Sequence, residues 1–325
     1  MSIYVSICCL GEDKELIKTV QNCKKMAKYS NSIYFGIVVI GNLEFYEKIK
    51  KELSNIENIS FLYKKAKNNL GVGKGRNLAA SMYNSQEYFL QIDSHSRFNK
   101  DWDMTLINTF NQAVVTVNNK KTVLTGYLGE YFYNKDNGKI YIDESLGYTL
   151  WIPNEFFVDG VIPKWTLAPL RSISDELNIF LENNEFAPAS KVSAHFIFGN
   201  SYFGKNIHLP ENLLFWEEEI IQTIELINDG FSILHFGSIS PMYHLYTNSI
   251  FFKENDRETL RNFLPNDKEN YEIMKNNFLS YLKNNHLKVK KFEKYANVDL
   301  LIGAKKSNTF PDTYSNIGFL PLKIE

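Results

Sequence analysis

Asp93 and His95 stand two residues apart in the run Tyr88-Phe89-Leu90-Gln91-Ile92-Asp93-Ser94-His95-Ser96-Arg97-Phe98. In an extended chain, residues i and i+2 share a face, so a carboxylate oxygen and an imidazole nitrogen can point the same way from the end of a strand. That pair suits a divalent cation such as Mn²⁺ or Mg²⁺, and a cation held there can neutralise a diphosphate leaving group. Spacing alone fits equally well with Asp93 capping a turn and His95 lying as a polar surface residue. A second pattern, Gly71-Val72-Gly73-Lys74-Gly75-Arg76, carries the glycines of a phosphate-cradling loop. It fits neither nucleotide template: the dinucleotide form needs glycine where Arg76 stands, and the P-loop form needs Ser or Thr where Gly75 follows Lys74. Two readings stay open for it, a loop that brings Lys74 or Arg76 to the phosphates of a bound nucleotide, or a flexible entry into a helix.

The elements that must position these residues alternate. Ile3 to Cys9 is a short apolar run stopped by Leu10-Gly11-Glu12-Asp13, and Glu15 to Tyr29 sets Leu16, Val20, Cys23 and Ala27 on one helical face. Tyr34–Ile40, Ile59–Tyr63 and Tyr88–Ile92 read as further strands, with Glu44–Leu53 and Gly75–Tyr83 as the helices between them. Strands alternating with helices predict an α/β fold, a mixed but mostly parallel sheet flanked by helices. In open sheets of this kind, ligands bind beyond the carboxyl ends of the strands, which directs the search to the residues after Cys9, Ile40, Tyr63 and Ile92.

Beyond Thr125 the rhythm weakens. Tyr131 to Ile142 reads as a hairpin around Asn137-Gly138, and residues 127–190 form an irregular insert rich in aromatics and prolines. Within it, Trp151, Phe156, Phe157 and Trp165 could offer ring faces to a sugar or peptide or simply bury the loop. Asp175 and Glu176 read as a solvated polar patch. His195–Phe203 and Phe231–Phe236 read as strands, with Glu217–Asn228 a helix closed by Asp229-Gly230. Arg257 to His286 is charged and helix-forming, with Arg257 and Arg261 four apart on one face, as in ordinary surface pairing or within reach of a diphosphate. The layout expected is a catalytic unit over residues 1–250 and a C-terminal helical extension over 251–325, packed on that core.

Composition narrows the class. The chain has 325 residues, 44% hydrophobic and 14% aromatic, with 22% charged and a formal net charge of −1, which gives material for a large core and none of the basic excess of a phosphate-dominated surface. Nucleic acid is thus not indicated as a partner. Cys8, Cys9 and Cys23 form neither a zinc ribbon nor a disulfide framework and fit a reducing compartment. No stretch nears the roughly 18 apolar residues of a membrane span, and the first strand starts too early for a leader, so a cytoplasmic setting is expected.

The run from Tyr88 to Phe98, followed by Trp102-Asp103, closely resembles the signature of the Skp1-type polypeptide hydroxyproline N-acetylglucosaminyltransferases. More distantly it is similar to the Asp-x-His motif of the polypeptide N-acetylgalactosaminyltransferases. Ile3-Tyr4-Val5-Ser6-Ile7 and Gly36-Ile37-Val38-Val39 look like the first two strands of that family, and Gly75-Arg76-Asn77 sits where it places a basic residue. Phe215-Trp216-Glu217-Glu218-Glu219-Ile220 resembles its paired-glutamate segment, and Pro241-Met242-Tyr243-His244-Leu245-Tyr246 its Pro…His-x-Tyr segment. The resemblance implies a GT-A (nucleotide-diphospho-sugar transferase) fold and a retaining enzyme that moves a hexose, foremost N-acetylglucosamine, from a UDP-sugar to a hydroxyl acceptor with Mn²⁺ or Mg²⁺ as cofactor. It further implies Asp93, His95 and His244 as metal ligands, and Ser6, Lys74, Arg76, Asp93 and Ser94 on the donor side. Glu218 and Glu219 would act beside the donor sugar or the acceptor, although a charged first helical turn would also explain them. Two departures bear on substrate. Cys9-Leu10-Gly11-Glu12-Asp13 replaces the family's Ser-x-Tyr-Arg-Asp-like segment near the nucleotide base, and Glu217 replaces a glycine. The acceptor, whether protein, glycan, small metabolite or modified DNA, has no motif in 127–190, and a non-catalytic sugar-nucleotide-binding module is the rival from a different class.

Overall fold

The structure is a computed structural model that describes residues 1–11, 13–66, 71–134, 137–143, 149–156, 163–169, 186–206, 208–215, 217–236, 240–246, 267–296, 298–300 and 304–305. The first half builds in the expected alternation: β1 (Ile3–Leu10), α1 (Glu15–Met26), β2 (Ile33–Gly41), α2 (Leu43–Glu52), β3 (Ile59–Lys65), α3 (Val72–Ser81) and β4 (Tyr88–Asp93). β1 pairs in parallel with β2 and β4, and β2 in parallel with β3. Buried on both faces, β1 is a continuous apolar run rather than an alternating one, as a central parallel strand must be.

Three elements complete the β4 side and were not anticipated by periodicity: β5 (Ser96–Phe98), α4 (Trp102–Val117) and β6 (Thr122–Thr125). α4 buries Trp102, Leu106, Phe110 and Ala113 on one side, and the Trp102 indole donates to the Cys23 carbonyl at 3.0 Å. The hairpin is formed by β7 (Gly129–Tyr133) and β8 (Ile140–Asp143). β9 (Thr149–Phe156) and β10 (Pro163–Pro169) pair antiparallel, followed by β11 (Phe186–Pro188). The expected strand from His195 to Phe203 is shorter. β12 (Phe196–Asn200) ends where the Asn200 side chain accepts the Tyr202 N–H and caps α5 (Ser201–Lys205). α6 (Glu217–Asn228) ends at Gly230, whose φ of 82° is the left-handed conformation glycine supplies, and β13 (Ser232–Phe236) and β14 (Met242–His244) follow. Of the C-terminal charged region, α7 (Asp267–Asn284) and α8 (His286–Ala296) are described, then the short strands β15 (Val298–Asp299) and β16 (Ala304–Lys305). Phe157, Asp175, Glu176, Trp216, Arg257 and Arg261 lie outside the described residues, as do the side chains of Trp151, Phe156 and Trp165.

The main sheet runs β11-β13-β6-β12-β4-β1-β2-β3. It is parallel except at β12, antiparallel to both β4 and β6, and at β11. Helices cover both faces. Val5, Ile7, Cys9, Leu90 and Ile92 pack with Leu16, Val20, Phe45, Trp102 and Phe110 of α1, α2 and α4. On the other face Phe89, Val123 and Ile197 join Ile220, Ile224, Phe278 and Phe292 of α6, α7 and α8. A second, four-stranded sheet in the order β5-β14-β7-β8 stands at the carboxyl end of β4. β14 pairs antiparallel with β5, His244 opposite Ser96, and parallel with β7. This pairing joins two segments about 150 positions apart, and it is the step that assembles the site.

Candidate functional site

β4 ends at Asp93, and the chain turns through Ser94 and His95 into β5. The turn is held from below by α1 and the loop before it. The Thr19 hydroxyl donates to the Ser94 carbonyl at 2.8 Å and accepts from the Ser96 N–H at 3.0 Å, while Asn22 Oδ1 accepts from the Phe98 N–H at 2.7 Å. Asp13 Oδ2 lies 2.7 Å from His95 Nδ1 and accepts the Ser94 hydroxyl at 2.6 Å. Burial opposes ionisation of Asp13, but the facing His95 and these hydrogen bonds hold its carboxyl well below the usual carboxylate range. A carboxylate on Nδ1 fixes the tautomer, because it requires the hydrogen there and leaves Nε2 as the free lone pair.

His95 Nε2 is 3.6 Å from Asp93 Oδ2, and His244 Nε2 reaches the same oxygen at 3.2 Å. The two imidazoles meet edge to face with centroids 4.7 Å apart. Asp93, His95 and His244 each offer one ligand atom, and these atoms all lie within 4.8 Å of one another. Burial opposes the charge on Asp93, yet Arg76 and the His244 contact hold its carboxyl well below the usual range. Burial likewise pushes the His244 ring toward its neutral form. One carboxylate oxygen and two imidazole nitrogens are the donor set that fits Mn²⁺ or a similar ion.

Arg76, 4% exposed, is the cation of the site. It donates to Glu218 Oε1 through Nε at 2.9 Å, to the Ile92 carbonyl at 3.0 Å and to Asp93 Oδ1 at 2.8 Å. Burial works against its charge and is outweighed by Glu218 and Asp93. Glu218 is buried beside it, and desolvation raises its carboxyl to about 7 against the pull of Arg76. The three acids of the α6 first turn diverge. Glu217 accepts the N–H groups of Leu214 and Phe215 at 2.8 and 3.3 Å, Glu218 joins Arg76, and Glu219 pairs with Lys191 and accepts the Ala194 N–H at 2.8 Å.

The remaining donor-side residues separate from this cluster. Lys74 points to Glu211 at 2.6 Å on the surface. Ser6 is buried in the middle of β1, opposite Gly36 and Gln91, four residues short of the strand end. Ser94 turns its hydroxyl to Asp13. The glycine run is not a loop. α3 starts at Val72, and the N–H groups of Val72 and Gly73 are taken by the carbonyls of Leu214 and Leu213 at 3.1 and 3.2 Å. A Cβ on Gly71 would stand 2.2 Å from the Leu213 oxygen, and one on Gly75 2.1 Å from Cys8 Sγ. The glycines therefore allow the helix to approach protein, and its first N–H groups are already satisfied.

Two contributors escaped the sequence reading. Asp13 lies in the segment after β1 that the strand-end rule marks, and only its reach across to β4 gives it a role. His195, just before β12, packs tilted against His244 with centroids 4.6 Å apart, and burial lowers its pKa to about 4. Its neighbours come from distant segments, so no local spacing announces it.

A profile of the family described as glycosyltransferase (GlcNAc) matches residues 44–299. The chain belongs to that family. No match emerges among curated proteins. Among solved structures, this glycosyltransferase is similar to GalNAc-T7 with UDP, GalNAc and Mn²⁺, at 12% identity and a TM-score of 0.55, covering 76% of this chain and 44% of that one. It is also similar to residues 1–349 of S. aureus TarS in complex with UDP-GlcNAc, at 15% identity and a TM-score of 0.50, covering 91% and 72% of the two chains. This chain thus spans less than half the length of the first and about three quarters of the second. At such identities the likeness is one of fold, and the fold is GT-A. Among the described residues, no helix of this glycosyltransferase is long and apolar enough to cross a membrane.

Proposed function

We propose that this enzyme moves a hexose, foremost N-acetylglucosamine, from a UDP-sugar to a hydroxyl acceptor, with Mn²⁺ or Mg²⁺ bound by Asp93, His95 and His244. The observation that carries the reading is the convergence of those three side chains from β4, the turn after it and β14, with Asp13 setting the tautomer of His95. The family description names GlcNAc, and the two similar structures hold UDP with GalNAc and Mn²⁺ or UDP-GlcNAc, which supports the same donor class here. The ion would supply electrostatic neutralisation of the diphosphate.

The chain's own residues supply the rest. Asp13 and Thr19 fix the turn so that His95 Nε2 faces Asp93. Arg76 holds the Asp93 carboxylate through Oδ1, which leaves Oδ2 for the ion, and locks Glu218 in the pocket wall. Arg76 acts as a positioning residue, its guanidinium engaged by Glu218, the Ile92 carbonyl and Asp93. With Glu218 and Glu219 both engaged by cations, a retaining route without a side-chain nucleophile fits best. The bond from the anomeric carbon to phosphate oxygen breaks, the acceptor oxygen bonds to that carbon from the same side, and the acceptor proton passes to the departing phosphate oxygen. The resemblance to the Skp1-type enzymes makes a polypeptide hydroxyproline the first acceptor to try, ahead of glycans, small metabolites and modified DNA. The buried free thiols of Cys8, Cys9 and Cys23 fit a cytoplasmic setting.

Release of UDP from UDP-GlcNAc with Mn²⁺ is the direct test. Asp93→Ala and His244→Ala should each lower it by about a thousandfold, the equivalent of several kcal/mol of lost charge stabilisation. Unchanged, chelator-insensitive turnover in both variants would sink the assignment. Calorimetric binding of UDP-GlcNAc and Mn²⁺ without turnover on any acceptor would instead mark a non-catalytic binding module.

A further inference from the structure

His195 is clamped through its neighbour: Glu219 accepts the Ala194 N–H at 2.8 Å, and Gln91 Nε2 donates to the Ala194 carbonyl at 3.0 Å. Its ring, 8% exposed, lies against His244 on one side and meets Tyr127 edge to face at 5.7 Å. His195 Nε2 is 3.3 Å from the Tyr246 hydroxyl, and that hydroxyl is 2.9 Å from the Leu128 carbonyl oxygen. The Tyr246 proton goes to the Leu128 carbonyl, so the tyrosine oxygen, which also hydrogen-bonds with Tyr127, is left to accept from His195. The imidazole hydrogen is therefore on Nε2, and Nδ1 keeps a lone pair.

Among the described residues nothing hydrogen-bonds to that nitrogen. His195 thus keeps one acceptor with no partner among the described residues, on a ring that leans on a residue proposed to hold the ion at the diphosphate. The hexose of a UDP-sugar is bonded directly to that diphosphate and carries several hydroxyl donors. We infer that His195 Nδ1 accepts a hydrogen bond from a hydroxyl of the donor hexose and so helps to select the sugar, an inference that rests on the donor reading above. A fixed acceptor nitrogen in a buried wall favours ligands that can donate to it, because an unmet polar group costs binding.

The test compares calorimetric affinities for UDP and UDP-GlcNAc, both with Mn²⁺, in wild type, His195→Phe and His195→Asn. Phe keeps a ring packed against His244 without the nitrogens, and Asn places an amide oxygen where Nδ1 stood. His195→Phe should weaken UDP-GlcNAc about tenfold, corresponding to about 1.4 kcal/mol, and leave UDP within about twofold, while His195→Asn recovers most of the loss. Equal weakening of UDP and UDP-GlcNAc would show a merely structural support of His244 and overturn the inference. So would unchanged affinities with a fall in transfer rate, which would assign the nitrogen to the acceptor hydroxyl. A wild-type chain that binds neither nucleotide with Mn²⁺ would overturn the donor reading itself, and this inference with it.

Discussion

At the end of β4 and in the turn after it, Asp93 and His95 keep polar atoms near His244, the backbone is tied down from outside by Thr19 and Asn22, and Asp13 holds the Ser94 and His95 side chains. In the first turn of α3, directly alongside, the backbone N–H groups that could have met a phosphate are closed by Leu213 and Leu214, and its Arg76 reaches back to hold Asp93. Both segments carry residue types associated with nucleotide chemistry. The first spends its backbone on support and leaves its side chains available, whereas the second spends its backbone on packing and keeps a single side chain for the site. A glycine signals that something approaches closely, and here the approaching atoms are the Leu213 oxygen and Cys8 Sγ rather than a ligand.

This contrast can be broken at three points. The largest effect expected is on the support of the first segment. Asp13→Asn removes the carboxylate from His95 Nδ1, and Mn²⁺ affinity should fall about 10- to 100-fold, the usual cost of losing such a partner, with the fold intact by circular dichroism. An unchanged affinity by titration calorimetry would show that His95 needs no such orientation. Next comes packing at the helix entry. Gly71→Ala forces a Cβ to within 2.2 Å of the Leu213 oxygen, and urea unfolding should report a loss of about 1–3 kcal/mol, with Mn²⁺ affinity of the folded protein nearly unchanged. If metal affinity fell and stability held, the helix entry would be part of the site after all. Smallest is Lys74→Ala, which deletes a surface pair with Glu211 and should change stability and the KM for UDP-GlcNAc by no more than the roughly 0–1 kcal/mol of an exposed ion pair. A rise in KM beyond about tenfold would return Lys74 to the donor phosphates.

Much of the fold was legible because its cause is local. Apolar runs such as Ile3–Leu10 and Ile33–Gly41 are buried on both faces, as parallel strands covered by helices must be, and α6 matches its sequence-predicted span, Glu217–Asn228, with its glycine stop. α4 was harder to read, since its buried Trp102, Leu106, Ile107 and Phe110 run on into apolar Val114, Val115 and Val117, which blurs the period. Strand His195–Phe203 was read too long because the Asn200 cap competes with strand extension only once the following residues turn.

The division is sharper at the site. Sequence by itself determined that Asp93 and His95 share a face at a strand end, since the two-residue period of an extended chain requires it. It could not decide whether anything faced them. That was decided by the pairing of β14 with β5, which sets His244 opposite Ser96, and by the reach of Asp13 and Arg76 across the strand ends. The same long-range packing turned the glycine run from a candidate phosphate loop into a helix contact, and set His195 against His244. Local rules fix which way a side chain points, and only the tertiary structure fixes what it meets.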